Sequence, residues 1–435
     1  MRPSPLLLKI ALFAFLLPVL VIVSGRGTIG LTLAVWALLA LAILADIVAS
    51  RPRGKLSLHI DMPSEAFSGE DIPVRFSIAD TSGAAPAGMR CRLHYPDGLS
   101  GPETMAFVPT ETGSEARASL WGKRRGAWSF DRLWLFWPGR FGLIEFVPSL
   151  TMEQKLVILP NIRPISSGQI DVMVRSNMFG VKENAMRGEG SDFHQLRDFT
   201  TGMDVRSIDW KRSASHRSLV AKEMRAERNH HIILALDNGY LMREEIAGLP
   251  KIDHQINAAL AIAWAAVQGG DQIGMFAFDV KPRFFLPPEG GRSAFAHLRS
   301  RAGELDYRSV ETNHTLAAAF LQARLKRRSL IVIFSDFVDT TTAELLLENV
   351  SVLNKRHLIV FATLGDPELT TVTNSAPGNL TDVARSVSAE QFLQERRVVL
   401  DRLRRLGVLC IEAGPKQMTA SLISTYLQIK AREMV

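Results

Sequence analysis

Two long apolar runs open the chain. Leu6 to Ser24 reads LLLKIALFAFLLPVLVIVS, broken only by Lys9, and after GRGTIG comes LTLAVWALLALAILADIVAS, with Asp46 near its end. A helix of the first length is about 29 Å long, close to the hydrocarbon thickness of a bilayer. Two such spans with so short a connection predict an antiparallel transmembrane hairpin over residues 1–50. A cleaved signal peptide begins in the same way, but no A-x-A-like site follows the first run and a second run follows at once. Pro18 would kink a membrane helix without excluding it.

The pattern then changes period. LSLHIDM, IPVRFSIAD, MRCRLHYP, ARASLWG and AWSFDRLWLFW are short runs with β-branched and aromatic residues, separated by SGED, TSGAAPAG, YPDGLSGPE and PGRFG. Strands at that spacing predict a small antiparallel sandwich over 51–163. Trp121, Trp128, Trp134 and Trp137 read as its core packing rather than an aromatic interface. Residues 164–229 form a charged connecting segment of mixed sign. There Ile208 and Trp210 sit among Asp204, Arg206, Asp209, Lys211 and Arg212, which predicts a helical turn that buries the apolar pair and leaves the ions to one another.

From 230 to 435 unbroken apolar strands alternate with amphipathic helices. HIILALD, DQIGMFAFD, SLIVIFSD, HLIVFATL and VLCIEAG are the strands. That order predicts a doubly wound, mostly parallel sheet covered on both faces, whose ligands sit at the carboxyl ends of the strands. Asp237 and Asp336 end two of those strands. The whole chain is therefore expected to be a membrane-anchored α/β protein: helical hairpin, β-sandwich module, connecting segment and doubly wound domain.

Charge orients the hairpin. Arg2 and Lys9 precede or open the first span, Arg51, Arg53 and Lys55 follow the second, and Arg26 alone lies in the turn. The positive-inside rule places both ends and the bulk of the chain in the cytoplasm. The net charge of +7 over 435 residues does not by itself call for nucleic acid, and no nucleic-acid partner is expected. Two cysteines, Cys91 and Cys410, exclude a disulfide scaffold or a four-cysteine zinc site. There is no G-x-x-x-x-G-K-[ST] loop, G-x-S-x-G, H-E-x-x-H or C-x-x-C, so neither ATP hydrolysis nor the common hydrolase chemistries are signalled. The basic residues Arg324, Lys326, Arg327 and Arg328, with Arg396, Arg397, Arg402, Arg404 and Arg405, read as solvated helix faces, and Asp271 and Asp279 as turn residues.

HIILALDNGYLM, NHTLAAAF and LIVIFSDF resemble the three metal-site segments of a von Willebrand factor A-type domain. The upstream GSDFHQLRDFTTGMDVRSIDWKRSASHRSLVAKEMRAER resembles the signature of the DUF58 family of bacterial proteins, and the order of modules is similar too. The resemblance implies an adaptor in the bacterial inner membrane, multi-pass, working with a MoxR-like AAA+ ATPase in the assembly or activation of protein complexes, and not an enzyme. Within the signature, Arg197, Asp204, Arg206, Asp209, Trp210 and Lys211 are the candidate interaction residues.

An A-type metal site presents Asp-x-Ser-x-Ser, a Thr and a second Asp. Asp237, Thr315 and Asp336 match, with Thr312 close enough to compete for the Thr position, but Gly239 and Leu241 stand where the serines should be. A degenerate site follows, its acids solvated or paired with Arg243. No cofactor is expected, although two carboxylates and a hydroxyl could hold a weak, water-rich Mg²⁺. The alternative function is a metal-dependent or acid-based hydrolase built on Asp209, His194 or His216, or on the Asp237/Asp336 pair.

Overall fold

Both apolar runs are helical, Pro5–Val23 and Ile29–Ser50. The computed structural model describes residues 1–23, 29–50, 56–80, 86–110, 113–166, 192–200, 203–216, 218–225, 230–338, 340–376 and 378–432. The expected hairpin turn around Arg26 and the basic flank Arg51, Arg53 and Lys55 lie outside the described residues. Among the described residues one helix, Leu33–Ser50, is long and apolar enough to cross a membrane, with a mean hydropathy of 2.3; Pro5–Leu16 is a shorter apolar stretch.

The chain divides into two compact units, Met1–Leu159 and Pro160–Val435. The first contains both helices and a sandwich of a seven-stranded and a five-stranded sheet. Alternation along the strands sends Phe76, Ile78 and Leu120 from one sheet and Leu133, Leu135 and Leu156 from the other into a single core. Trp137 belongs to that core, stacked on Phe146 at 5.4 Å, while Trp128 Nε1 donates to the Arg124 carbonyl at 3.0 Å.

Asp46 ties the second helix to the sandwich. It is fully buried, and its carboxylate accepts from the backbone N–H groups of Phe141 (2.9 Å), Leu143 (3.0 Å) and Ile144 (3.2 Å). A Cβ on Gly139 would stand 2.4 Å from an Asp46 carboxylate oxygen, so this loop approaches the helix only because residue 139 has no side chain. The same loop meets the start of the first helix. Arg2–Pro3 pairs antiparallel with Ile144 and Glu145, the Ser4 hydroxyl donates to the Gly142 carbonyl at 2.6 Å, and Arg2 Nε reaches Glu145 at 2.6 Å.

The second unit is built on a six-stranded sheet: β1 (His231–Asp237), β2 (Gln272–Phe278), β3 (Pro282–Glu289), β4 (Leu330–Phe334), β5 (Leu358–Leu364) and β6 (Leu409–Ala413). The spatial order is β3-β2-β1-β4-β5-β6, parallel throughout except for β3. Its helices are α1 (Lys251–Gln268), α2 (Gly291–Gly303), α3 (His314–Arg324), α4 (Thr340–Asn354), α5 (Pro367–Asn374), α6 (Leu380–Arg405) and α7 (Pro415–Ala431). Consecutive strand residues point to opposite faces. Leu234 and Leu236 therefore pack with Ile256 and Leu260 of α1 and Ile423 of α7, while Ile233 and Ala235 pack with Leu321 of α3, Leu346 of α4 and Leu403 of α6. The doubly wound sheet expected from the sequence is present, with its reversal of strand order between β1 and β4.

Ahead of the sheet, strands Asp192–Asp198 and Val220–Arg225 pair antiparallel around a 3₁₀ turn, Val205–Ser207, and a short helix, Trp210–His216. Asp209 caps that helix: its Oδ1 accepts from Arg212 N at 3.1 Å, which with Lys222 beside it holds the carboxyl below its ordinary value.

Asp46→Ala would make the second helix more apolar, yet it leaves three loop N–H groups without an acceptor. The detergent-solubilised chain should lose about 1–3 kcal/mol of stability. An unchanged melting curve would show that the loop is held some other way.

Candidate functional site

Three acids end adjacent strands at the carboxyl edge of the sheet: Asp237 after β1, Asp279 after β2 and Asp336 after β4, all at most 4 % exposed. This is the edge, and between β1 and β4 the crevice, where doubly wound sheets place their ligands.

Asp237 is closed by hydroxyls. Its Oδ1 accepts from the Thr312 hydroxyl at 2.6 Å and from Gly239 N at 2.8 Å, and its Oδ2 from the Ser335 hydroxyl at 2.6 Å. Burial pushes its carboxyl above the ordinary range, against the pull of these donors and of His314. The His314 imidazole is in turn pushed down by burial, and its ring meets Phe278 edge-on at 6.0 Å. A Cβ at Gly239 would lie 2.0 Å from Thr312 Oγ1. The Thr312 hydroxyl thus fills the space that a serine at position 239 would need.

Asp336 is closed by cations. Its Oδ2 binds Lys251 Nζ at 2.7 Å, and its Oδ1 accepts from Arg396 at 2.5 Å, from Phe337 N at 3.0 Å and from the Thr363 hydroxyl at 3.1 Å. Arg396 spends its remaining donors on Glu412 (2.7 Å), the Leu364 carbonyl (2.9 Å) and the Thr363 hydroxyl. Burial alone would raise the Asp336 carboxyl; Arg396 and Lys251 outweigh it and hold the group below the usual carboxylate range. Asp279 is paired with Arg283 at 2.5 Å. A cleft of about 890 Å³ opens beside this network, where Lys251, Arg396, Glu412, Asp366 and Gln417 line it, and a second of about 390 Å³ lies over Thr312, His314 and Phe337.

Several expectations change. The two acids are neither solvated nor paired with Arg243, whose guanidinium donates to the Ser309 hydroxyl. Arg396 is 5 % exposed and belongs to the Asp336 network, not to a solvated basic face. Asp271 and Asp279 are buried; Asp271 holds Tyr426 at 2.5 Å and Lys430 at 2.8 Å. The Thr315 hydroxyl accepts from Asn349 at 2.9 Å, so the threonine that meets Asp237 is Thr312. Ile208 is buried, but Trp210 is 65 % exposed. Trp210 opens its helix and projects outward while Ile208 bridges to Ala221 on the strand behind. Arg197, Asp204, Arg206 and Lys211 are exposed around that segment, and Asp209 is half-buried. The side chains of His194 and His216 lie outside the described residues.

Lys251 escaped the sequence reading although a signal existed: a cation in the first turn of a helix opposes the helix dipole and must be held by something else. Arg396 shares the apolar stripe of α6, three, four and seven residues before Val399, Leu400 and Leu403. Thr363 is the lone polar residue inside an apolar strand.

A divalent ion at this edge would need open oxygen ligands in near-octahedral array. The residues do not fit one: Gly239 and Leu241 offer no hydroxyl, Thr312 closes on Asp237, and two protein cations neutralise Asp336. Among the described residues no group of three or more His, Cys, Asp or Glu could hold a metal ion.

Residues 195–396 match the model of the family described as "Protein of unknown function DUF58". The chain carries a DUF58 region. None of the curated proteins matches it. Among solved structures it is similar to the conserved hypothetical protein BatB from Bacteroides thetaiotaomicron, at 12% identity and TM-score 0.31, covering 47% of this chain and 100% of that one. It is similar to an aerotolerance-related membrane protein from Bacteroides fragilis NCTC 9343, at 11% identity and TM-score 0.30 over 47% and 100%. A third is proximal thread matrix protein 1 from the mussel byssus with a zinc-occupied MIDAS motif, at 9% identity and TM-score 0.28 over 47% and 46%. Structural likenesses this loose say nothing about what the chain does.

Asp336→Asn strands Lys251 and Arg396 beside buried apolar surface, and a loss of about 3–5 kcal/mol is expected. Because the folded carboxyl titrates below its unfolded value of about 3.9, its contribution is full above that value and drains as pH falls through the folded pKa. The variant should therefore lose stability less steeply than the parent chain on acidification below pH 4. Trp210→Ala, by contrast, should shift stability by no more than about 0.5 kcal/mol, since the ring is already in solvent. Thermal melts of the three proteins across pH check both statements.

Proposed function

We propose that this DUF58 chain is a membrane-anchored, non-enzymatic adaptor of the bacterial inner membrane, whose cytoplasmic region engages a MoxR-like AAA+ ATPase in the assembly or activation of protein complexes. The observation that carries the reading is the closure of the acid edge. Every carboxylate there is already bonded to hydroxyls, backbone N–H groups or buried cations, so the edge supports a rigid scaffold better than a reaction centre. A hydrolase on the Asp237/Asp336 pair has less support. Asp336 is held below the usual carboxylate range by its two cations, and both oxygens of Asp237 are already engaged by the Thr312 and Ser335 hydroxyls. The adaptor reading needs no metal.

An antiparallel helix pair fits the loop contacts of the first unit. Residues 2–4, at the start of the first helix, and residues 46–50, at the end of the second, bind the same short loop, Gly139–Glu145. Both helix ends then lie on one side of the bilayer, and the basic flanks favour the cytoplasm. Reporter fusions at Gly27 and at the C-terminus should accordingly report opposite sides; a C-terminal fusion active only in the periplasm overturns the topology.

Exposed Trp210, with Val205 (61 % exposed), Arg206 and Lys211 around it, has the aromatic-and-cation make-up of an interface hot spot. Full-length chain in detergent should bind a purified MoxR-like ATPase, and Trp210→Ala should lose that association while keeping its melting temperature. Failure of the parent chain to bind such an ATPase, with or without ATP, would count against the proposal.

A further inference from the structure

The loop that receives Asp46 also faces outward. Pro138–Gly142 reads PGRFG; its Arg140 and Phe141 N–H groups are turned onto Ser50 and Asp46 of the helix, and its two large side chains are exposed, Phe141 at 58 %. One exposed phenyl ring needs no partner by itself; the position of this one, beside the helix ends, gives it a meaning.

The apolar stretch Leu33–Ser50 runs to the end of its helix. At 1.5 Å per residue, Asp46 lies about 6 Å short of that end. Leu44 and Val48, two residues to either side of it, are 58 % and 69 % exposed on the helix surface. An unpartnered carboxylate among them would be costly at the edge of a hydrocarbon layer. Asp46 is satisfied because the loop reaches it, with donors at 2.9, 3.0 and 3.2 Å. The loop must then lie at the depth of the last helical turn. Arg140 N is bonded to the Ser50 hydroxyl at 2.7 Å, and on the other side a Cβ at Gly142 would touch Leu6 of the first helix at 3.9 Å. Arg140 and Phe141 thus stand beside the ends of both helices, where a bilayer passes from acyl chain to headgroup. An aromatic ring is favoured at that level, and a guanidinium beside it pairs with lipid phosphate.

We propose that the Pro138–Gly142 loop is a second membrane anchor, with the Phe141 ring in the boundary between acyl chains and headgroups and Arg140 among the lipid phosphates. The sandwich is then held flush against the bilayer at one end of its thirteen-residue strand Gly126–Pro138, instead of swinging on a tether. This rests on the reading of Ile29–Ser50 as a spanning helix, and the test separates the two.

The full-length chain carries Cys410→Ser and keeps Cys91, which is buried, its thiol pushed up to about 12 and so slow to label. Nitroxide is placed singly at Phe141→Cys, Arg140→Cys, Leu41→Cys and Ala127→Cys, and the protein is reconstituted in vesicles of phosphatidylcholine and phosphatidylglycerol. Leu41, 68 % exposed, reports the middle of the helix, and Ala127 the far end of the strand, about 36 Å from Pro138. Collision with oxygen and with a water-soluble nickel complex gives the depth of each label. The expected ratio of oxygen to nickel access is highest at position 41, several-fold above the water-facing value of position 127 at position 141, and intermediate at position 140. A lipid-like value at 41 with 140 and 141 as water-exposed as 127 overturns the anchor alone. Water-like values at 41 as well overturn the spanning helix.

Discussion

The second unit depends on one carboxylate. Asp336 leaves the end of the central strand β4 and is met by Lys251 from the first turn of α1 and by Arg396 from the middle of α6. These helices pack on opposite faces of the sheet, so a single acid gathers both layers at the carboxyl edge, and Glu412 on β6 extends the contact to the outer strand. Burying such charges is tolerable only when every one is paired and hydrogen-bonded. Here that condition is met by two cations, a backbone N–H and the Thr363 hydroxyl.

The arrangement also shows how the acids at this edge are balanced by protein groups. A bound divalent ion would neutralise the acids of such an edge; in this chain protein groups do so. Lys251 and Arg396 supply the positive charge for Asp336, and the Thr312 and Ser335 hydroxyls supply donors for Asp237. Gly239 is part of the same solution, because only a residue without a Cβ leaves room for Thr312 to close.

The first unit solves a similar problem with a different donor set. Asp46 is an acid inside an apolar helix, and it is made tolerable by backbone N–H groups of a glycine-containing loop of the sandwich. Sequence position alone would make Asp46 look like a blemish at the end of a span. In the folded unit it fixes where the sandwich meets the helices.

Much of this was legible in the residues. The apolar runs, the period-two stretches with Gly and Pro between them, and the buried strands alternating with helices set the element types, because burial and backbone hydrogen bonding are satisfied locally within each pattern. The acids at strand ends and the missing serines were also readable, and Arg396 could have been placed inside from its spacing to Val399, Leu400 and Leu403. What lay beyond the sequence was pairing. Thr312 and Thr315 are three residues apart and chemically identical, and only the path of the chain into α3 decides that Thr312 meets Asp237 while Thr315 meets Asn349. Asp336 lies 85 residues from Lys251 and 60 from Arg396, distances over which no local pattern can choose a partner. Trp210 and Ile208 are equally apolar neighbours, yet the helix that starts at Trp210 turns one outward and leaves the other against Ala221. Local periodicity determined which elements form; the crossing of elements distant in sequence decided which charges and hydroxyls meet, because those bonds exist only after the layers have packed.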